Sequence, residues 1–248
     1  MLDDYQFAAL AVGIMFLGGV VKGVVGLGLP LVGVGLMSMF VPVKIALGYA
    51  IMPVVLANIW QAHQAGGMAE PVRRFWPMLL VMWAGMAVGV HLLVTMDPQA
   101  LYGAIGGVVI FVSALSLANL SPSISPAAER PVGLAVGSFA GVIGGISTMW
   151  GPPVSLYLIM LGLKKDAFIR TTGTLWFLGG VPVAILYAVN GILGWHNVWW
   201  SISLTVPAFL GMQVGKLLRD RIPQETFRKV LLVTLIVIGA NLLRRGFQ

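Results

Sequence analysis

The sequence predicts an all-α integral membrane protein built from two inverted-topology repeats of about five helical segments each. Three observations predict it. Hydrophobic residues make up 58% of the 248 and charged residues only 9%, where soluble domains carry about 25% charged residues. Apolar segments of membrane-spanning length recur along the chain, with one linker-like stretch near its middle. Glycine and proline motifs of the first half return in the second at an almost constant shift.

The composition selects lipid as the solvent. A soluble fold of this length needs a polar skin that a mean hydropathy of +0.95 does not supply. The formal net charge is +7, but the cations stand singly or in pairs between apolar segments. Membrane topology accounts for them better than nucleic-acid binding does. Cysteine is absent, which excludes a disulfide framework, a thiolate metal site and a cysteine nucleophile. The first residues, Met1-Leu-Asp-Asp-Tyr-Gln, are acidic and lack the basic region of a cleavable signal, so the first apolar segment is expected to stay in the mature protein.

About 20 apolar residues cross a bilayer as a helix. On that basis a first segment covers 7–25, and a Gly/Pro interruption, Gly26-Leu-Gly-Leu-Pro30, separates it from a short stretch at 31–41. Full-length segments follow at 45–62, 75–95 and 99–120. The polar stretch 121–131 reads as a cytoplasmic linker. The series then resumes with 132–146, an interruption at 147–153, a short stretch at 154–163, and full-length segments at 167–189, 198–218 and 226–243. The chain thus divides into a first transmembrane repeat (1–120), the linker (121–131) and a second repeat (132–248).

The halves match in residues as well as in order. Gly19-x-x-x-Gly23 recurs as Gly141-x-x-x-Gly145, 122 positions on, and at that shift Pro30 meets Pro152 and Val32 meets Val154. Gly85-x-x-x-Gly89 recurs as Gly211-x-x-x-Gly215 at a shift of 126, and Pro98-Gln99 as Pro223-Gln224 at 125. These correspondences, all in one order, indicate a duplication. An odd number of segments per copy inverts the second copy in the membrane. With the N-terminus outside, twelve of the fifteen Lys and Arg residues fall inside, and only Lys44, Arg244 and Arg245 fall outside, a strong positive-inside bias. The count is the same whether each long–short pair is a re-entrant hairpin or two spans, and Arg244-Arg245 is its main misfit.

Inverted repeats with broken helices place a transporter's substrate near the bilayer midplane, where half-helix ends meet. The first candidate group is therefore Gly26, Gly28 and Pro30 with Trp150, Gly151, Pro152 and Pro153. Glycine lets backbone approach a ligand, and a helix start turns N–H groups and the positive dipole end toward an anion. An ordinary interhelical turn is the alternative. Ser147 and Thr148 either donate to an oxyanion or cap the helix that starts at Gly151. Lys22, four residues before Gly26, is a buried counter-ion if its segment is half a hairpin, and snorkels to the inner face if it spans. Arg170 and Thr171 open the helix after the second pair, where an arginine either forks onto an anion or anchors the inner face. Asn58 and Gln61 share one helical face, suited to substrate or to helix–helix hydrogen bonds. No HExxH, Gly-x-Ser-x-Gly, Walker loop or carboxylate pair occurs, so neither an enzyme nor an ATP-driven pump is expected, and no cofactor is required.

The segments Lys22-Gly-Val-Val-Gly-Leu-Gly-Leu-Pro30 and Gly144-Gly-Ile-Ser-Thr-Met-Trp-Gly-Pro-Pro153 resemble those of the TauE/SafE family of sulfite and organosulfonate exporters. The resemblance runs nearly the full length, through Gly211-Met-Gln-Val-Gly-Lys216 and Pro223-Gln-Glu-Thr-Phe227. Many family members carry three consecutive glycines where this chain has Gly28-Leu29-Pro30. The resemblance implies a multi-pass protein of the bacterial inner membrane that moves small sulfur-containing anions, with export common and uptake also known. The implied partners are a small anionic substrate and the lipid bilayer, and the Gly-x-x-x-Gly faces permit a homodimer.

Overall fold

A computed structural model of the chain describes residues 4–26, 28–118, 123–219 and 224–247. Among the described residues there are eleven α-helices, one 3-10 turn and no strand. The helices are α1 (Asp4–Val25), α2 (Leu29–Met37), α3 (Val43–Ala65), α4 (Ala69–Thr95), α5 (Pro98–Leu117), α6 (Glu129–Ser147), α7 (Gly151–Met160), α8 (Lys165–Val189), α9 (Trp195–Ser203), α10 (Thr205–Arg219) and α11 (Gln224–Arg245). Counting α9 and α10 as one rod, the order long, short, then three long occurs twice. Helices α2 and α7, of 9 and 10 residues, reach about 14–15 Å at 1.5 Å per residue, half of a bilayer core.

Seven described spans are long and apolar enough to cross a membrane. Their outward faces keep large apolar side chains exposed, among them Leu17, Trp76, Leu80, Ile185, Val206 and Leu210. In water these would be a liability; in lipid they are the correct surface. The protein is a multi-pass membrane protein.

Among the differences from the sequence expectation, three have a clear physical reason. Helix α4 begins at Ala69 rather than 75 and α6 at Glu129 rather than 132. The added residues include Glu70, Arg73 and Arg74 in the first two turns of α4, and Glu129 and Arg130 in the first turn of α6. Hydropathy ends at the lipid edge, whereas the backbone ladder continues into the charged turn beyond it. The linker is correspondingly shorter at its far end and contains the 3-10 turn Pro126–Ala128. The single segment expected at 198–218 is two helices meeting at Leu204. Pro207 has no N–H to return to the Ser203 carbonyl, which weakens the ladder at that point. Pro223, half of one repeat correspondence, lies outside the described residues.

The chain packs as two compact units that cut across the division by sequence. One comprises Met1–Val54, Asp97–Leu117 and Gly191–Gln248; the other comprises Val55–Met96 and Ala118–Asn190. Each holds one long–short pair: α1–α2 in the first, α6–α7 in the second.

Within the first unit α1 crosses α10 backbone to backbone. A Cβ on Gly23 would stand 2.8 Å from the Gly215 Cα, and one on Gly19 would strike the Ala208 carbonyl. Within the second unit α6 crosses α4 in the same manner, with Gly145 against Gly89 at 2.9 Å and Gly141 against the Met82 carbonyl. The four Gly-x-x-x-Gly motifs matched by sequence are therefore two packing pairs, α1 with α10 and α4 with α6. In lipid, where no hydrophobic effect drives helices together, such close backbone contact is a main source of association.

The prolines inside the helices follow the same exchange. Pro53 in α3 and Pro182 in α8 each leave a carbonyl one turn earlier without its usual donor. The freed Tyr49 carbonyl accepts from Ser201 Oγ at 2.9 Å, and the freed Leu178 carbonyl accepts from Trp83 Nε1 at 2.9 Å. In a bilayer an unsatisfied carbonyl costs several kcal/mol, so these donors are what make the prolines tolerable there.

Candidate functional site: two broken-helix tips

The tip of the first unit is made by glycine. Helix α1 ends at Val25, and the Gly26 N–H closes the last turn on the Lys22 carbonyl at 2.8 Å. Gly26 (φ 87°) and Gly28 (φ 110°) both lie in the left-handed region, where a side chain is strained. Helix α2 then starts at Leu29 with Pro30 in its first turn. Its first ladder bond runs from the Val32 N–H to the Gly28 carbonyl at 2.9 Å, so the N–H groups of Leu29 and Leu31 remain at the positive end of the helix. Lys22 is buried, with 5% of its surface exposed. Arg219 of α10 donates to the Gly23 and Val24 carbonyls at 3.0 and 3.2 Å, which covers the negative end of α1 with a cation.

The tip of the second unit is made by aromatic and hydroxyl side chains. Helix α6 ends at Ser147, and Thr148 turns the chain with φ 63° while its N–H bonds the Gly144 carbonyl at 2.8 Å. Of the two readings of the Ser147 and Thr148 hydroxyls, the cap on α7 is not made in this conformation. Ser147 Oγ donates to the Ile143 carbonyl at 2.7 Å and Thr148 Oγ1 to the Ser147 carbonyl, and α7 has no side-chain cap. Because Pro152 and Pro153 have no N–H, the first turn of α7 offers fewer amide donors than that of α2. What it has instead is Trp150. The ring is buried against Gly144, Gly179 and Gly180, and its Nε1–H finds no acceptor among the described residues. The Tyr187 hydroxyl donates to the Gly145 carbonyl at 3.0 Å, closing the end of α6.

A second indole completes this unit. The Trp176 ring lies 3.2 Å from where a Gly151 Cβ would be, and the Trp176 carbonyl accepts from Asn58 Nδ2 at 3.4 Å. Asn58 is thereby tied to the tip. Gln61 sits one turn on, beside Gly173. Thr171 is buried, but Arg170 pairs with Glu70 of α4 at 2.5 Å.

A family model described as Sulfite exporter TauE/SafE matches residues 11–242, nearly the whole chain. The chain belongs to the TauE/SafE family. No curated protein and no solved structure gives a significant match.

In this TauE/SafE protein the residues singled out from sequence fall into two sets. Lys22, Gly26, Gly28 and Pro30 lie in the first unit, and Asn58, Gln61, Ser147, Thr148, Trp150, Gly151, Pro152, Pro153, Arg170 and Thr171 in the second. Sequence reasoning missed Trp176, Tyr187 and Arg219. For the first two there was a signal: the run Thr171-Thr172-Gly-Thr-Leu-Trp176 followed by Gly179-Gly180 and Pro182 is unusually polar and glycine-rich for mid-span. For Arg219 there was none, since an arginine at the end of a span reads as a topology anchor.

Proposed function

We propose that the protein is a secondary transporter that exports a small sulfur-containing oxyanion, such as sulfite or an organosulfonate, across the bacterial inner membrane by alternating access. Membership of the sulfite exporter family, matched over nearly the whole chain, carries this reading. A broken helix in each compact unit supports it. In this reading the two repeats are inverted, the N-terminus is outside, and each tip offers anion-binding donors near the bilayer midplane.

An oxyanion leaving water must exchange its hydration for fixed donors, because an unpaired charge in low dielectric is prohibitively costly. The first tip would supply the Lys22 ammonium and the amides of Leu29 and Leu31. The second would supply the indole N–H of Trp150 and the backbone of Gly151. Donors of these kinds suit the several oxygens of a sulfite or sulfonate group. Because Ser147 and Thr148 already donate to carbonyls, their hydroxyls would act only after rotation. The inside-negative potential favours anion exit by about 2.3 kcal/mol per charge per 100 mV, so export needs no coupling ion.

The test is flux from proteoliposomes loaded in turn with sulfite, sulfoacetate, sulfate and acetate. Wild type should move the sulfur anions. Trp150→Phe, which keeps an aromatic side chain but removes the N–H donor, should cut the rate roughly tenfold or more, the worth of a hydrogen bond to a charged group. Lys22→Ala should cost at least as much, and Gly151→Leu, which drives a side chain into the Trp176 ring, should abolish transport. Wild-type rates in all three variants would sink the site, unitary currents in a patch recording would replace the carrier with a channel, and inward accumulation would reverse the direction.

A further inference from the structure

The second unit carries a cavity away from its helix tip. It has a volume of about 360 Å³, and its walls include Arg73, Arg74 and Trp76 of α4, Glu129 and Arg130 of α6, and Tyr157 of α7. Its floor is fixed. Arg74 forks onto Glu129 at 2.7 and 3.0 Å, and the Tyr157 hydroxyl donates to the Glu129 carbonyl at 2.9 Å. The single carboxylate of the cavity is thus neutralised. Arg73 and Arg130 are both exposed and form no ion pair with a described residue. Two arginines therefore face one opening without a counter-charge.

Above the opening the surface changes character. Trp76 and Leu80, about half exposed, stand one turn apart on α4, and Ala84 and Val88 continue the same exposed line at a spacing of four. An indole beside the cations and an apolar stripe running from it along a membrane helix is the profile of a molecule with an anionic head and a hydrocarbon tail. A free inorganic anion would use the arginines and leave the stripe idle. A positive-inside bias explains cations at this end of α4 and α6, but not their enclosure of a cavity continuous with an apolar track.

We infer that this cavity seats the phosphate of an anionic phospholipid, with Arg73 and Arg130 on the phosphate, Trp76 at the glycerol level and the Leu80–Val88 stripe along an acyl chain. Basic pockets between transmembrane helices are a recurrent mode of anionic headgroup recognition, and each cation contributes about a fivefold preference.

The full-length protein in detergent micelles is offered equal amounts of phosphatidylglycerol and phosphatidylcholine, and the retained lipid is counted by native mass spectrometry. Wild type should favour phosphatidylglycerol by roughly ten- to thirtyfold. The double variant R73Q/R130Q, which leaves the Arg74–Glu129 pair intact, should fall to within about twofold of no preference. Trp76→Ala should lower retention of both lipids while sparing the preference between them. If the double variant does not survive extraction, each single variant removes one exposed cation and should lose a few-fold of the preference. An unchanged preference in the arginine variants overturns the assignment. So does displacement of phosphatidylglycerol by millimolar inorganic phosphate, since the seat would then read a free anion and make no use of the stripe.

Discussion

Helices α1–α2 and α6–α7 break at matched places and rest on matched glycine crossings, yet the two breaks are finished with different chemistry. In the first pair the turn is made by Gly26 and Gly28, the exposed carbonyls are covered by the Arg219 guanidinium, and a buried lysine stands one turn away. In the second the turn is made by Thr148, the carbonyl is covered by the Tyr187 phenol, and two indoles surround the start of α7. Both solve the same problem, a broken backbone ladder where water is scarce. One solves it with charge and the other with neutral donors. In both, the skeleton is held by backbone contact that tolerates no side chain, while the tips differ.

The largest effect should come from the shared skeleton. Gly89→Val and Gly215→Val each push a β-branched side chain into opposing backbone: at Gly89 a Cβ would meet the Val142 carbonyl and the Gly145 Cα at 3.0 Å, and at Gly215 the Val20 carbonyl and the Gly23 Cα at 2.8 Å. Backbone cannot rotate aside as a side chain can, so each should cost more than about 3 kcal/mol, the upper end of ordinary overpacking. Both variants should fail to give a monodisperse peak on fluorescence-detected size exclusion. A folded, active variant at either position would show that the crossing is not what joins the helices of that unit.

These glycines also show what was and was not legible in the sequence. Spacing revealed all four motifs, because a glycine at every fourth position is a pattern along one chain. It did not reveal that the first motif packs on the last and the second on the third, since partnership is a property of space. Segment order was legible for a like reason: lipid imposes length and hydropathy on every span. The charged first turns of α4 and α6 were not, because they lie beyond the apolar stretch that defines a span. At the tips, Lys22, Trp150 and Gly151 could be named from the broken helices themselves. Tyr187 and Arg219 act on carbonyls 42 and 195 or more residues away in sequence, and a hydrogen bond to backbone leaves no mark on the sequence of its acceptor.

Of intermediate size are the two carbonyl covers. Tyr187 is fully buried, so Tyr187→Phe strands the Gly145 carbonyl away from water and should cost about 1–3 kcal/mol. Arg219 is exposed, and water can replace part of what Arg219→Gln removes, leaving about 0.3–1 kcal/mol from the helix-end charge. Unfolding followed by tryptophan fluorescence in detergent should rank them in that order. Raising the salt concentration should shrink the loss at Arg219 and leave that at Tyr187 unchanged. A reversed ranking would mean that the charged cover, not the neutral one, is the stronger.

The smallest effects isolate the turn itself. Around Gly26 a Cβ would meet nothing within 4 Å, so Gly26→Ala tests backbone conformation alone, and its φ of 87° should cost about 1–2 kcal/mol. Thr148 bears that same left-handed penalty at φ 63° with a β-branched side chain. Thr148→Gly relieves it, but removes the hydroxyl's bond to the Ser147 carbonyl and adds freedom to the unfolded chain. The relief and the two losses nearly offset, and relief of the left-handed strain should leave a net gain below about 1 kcal/mol. Opposite signs at the two positions would establish that both turns use one backbone geometry and that threonine is retained at the second for its side chain. If Thr148→Gly is instead destabilising by as much as Gly26→Ala, the hydroxyl's hydrogen bond outweighs the strain, and the second tip is held by side chains throughout, as its indoles and phenol already are.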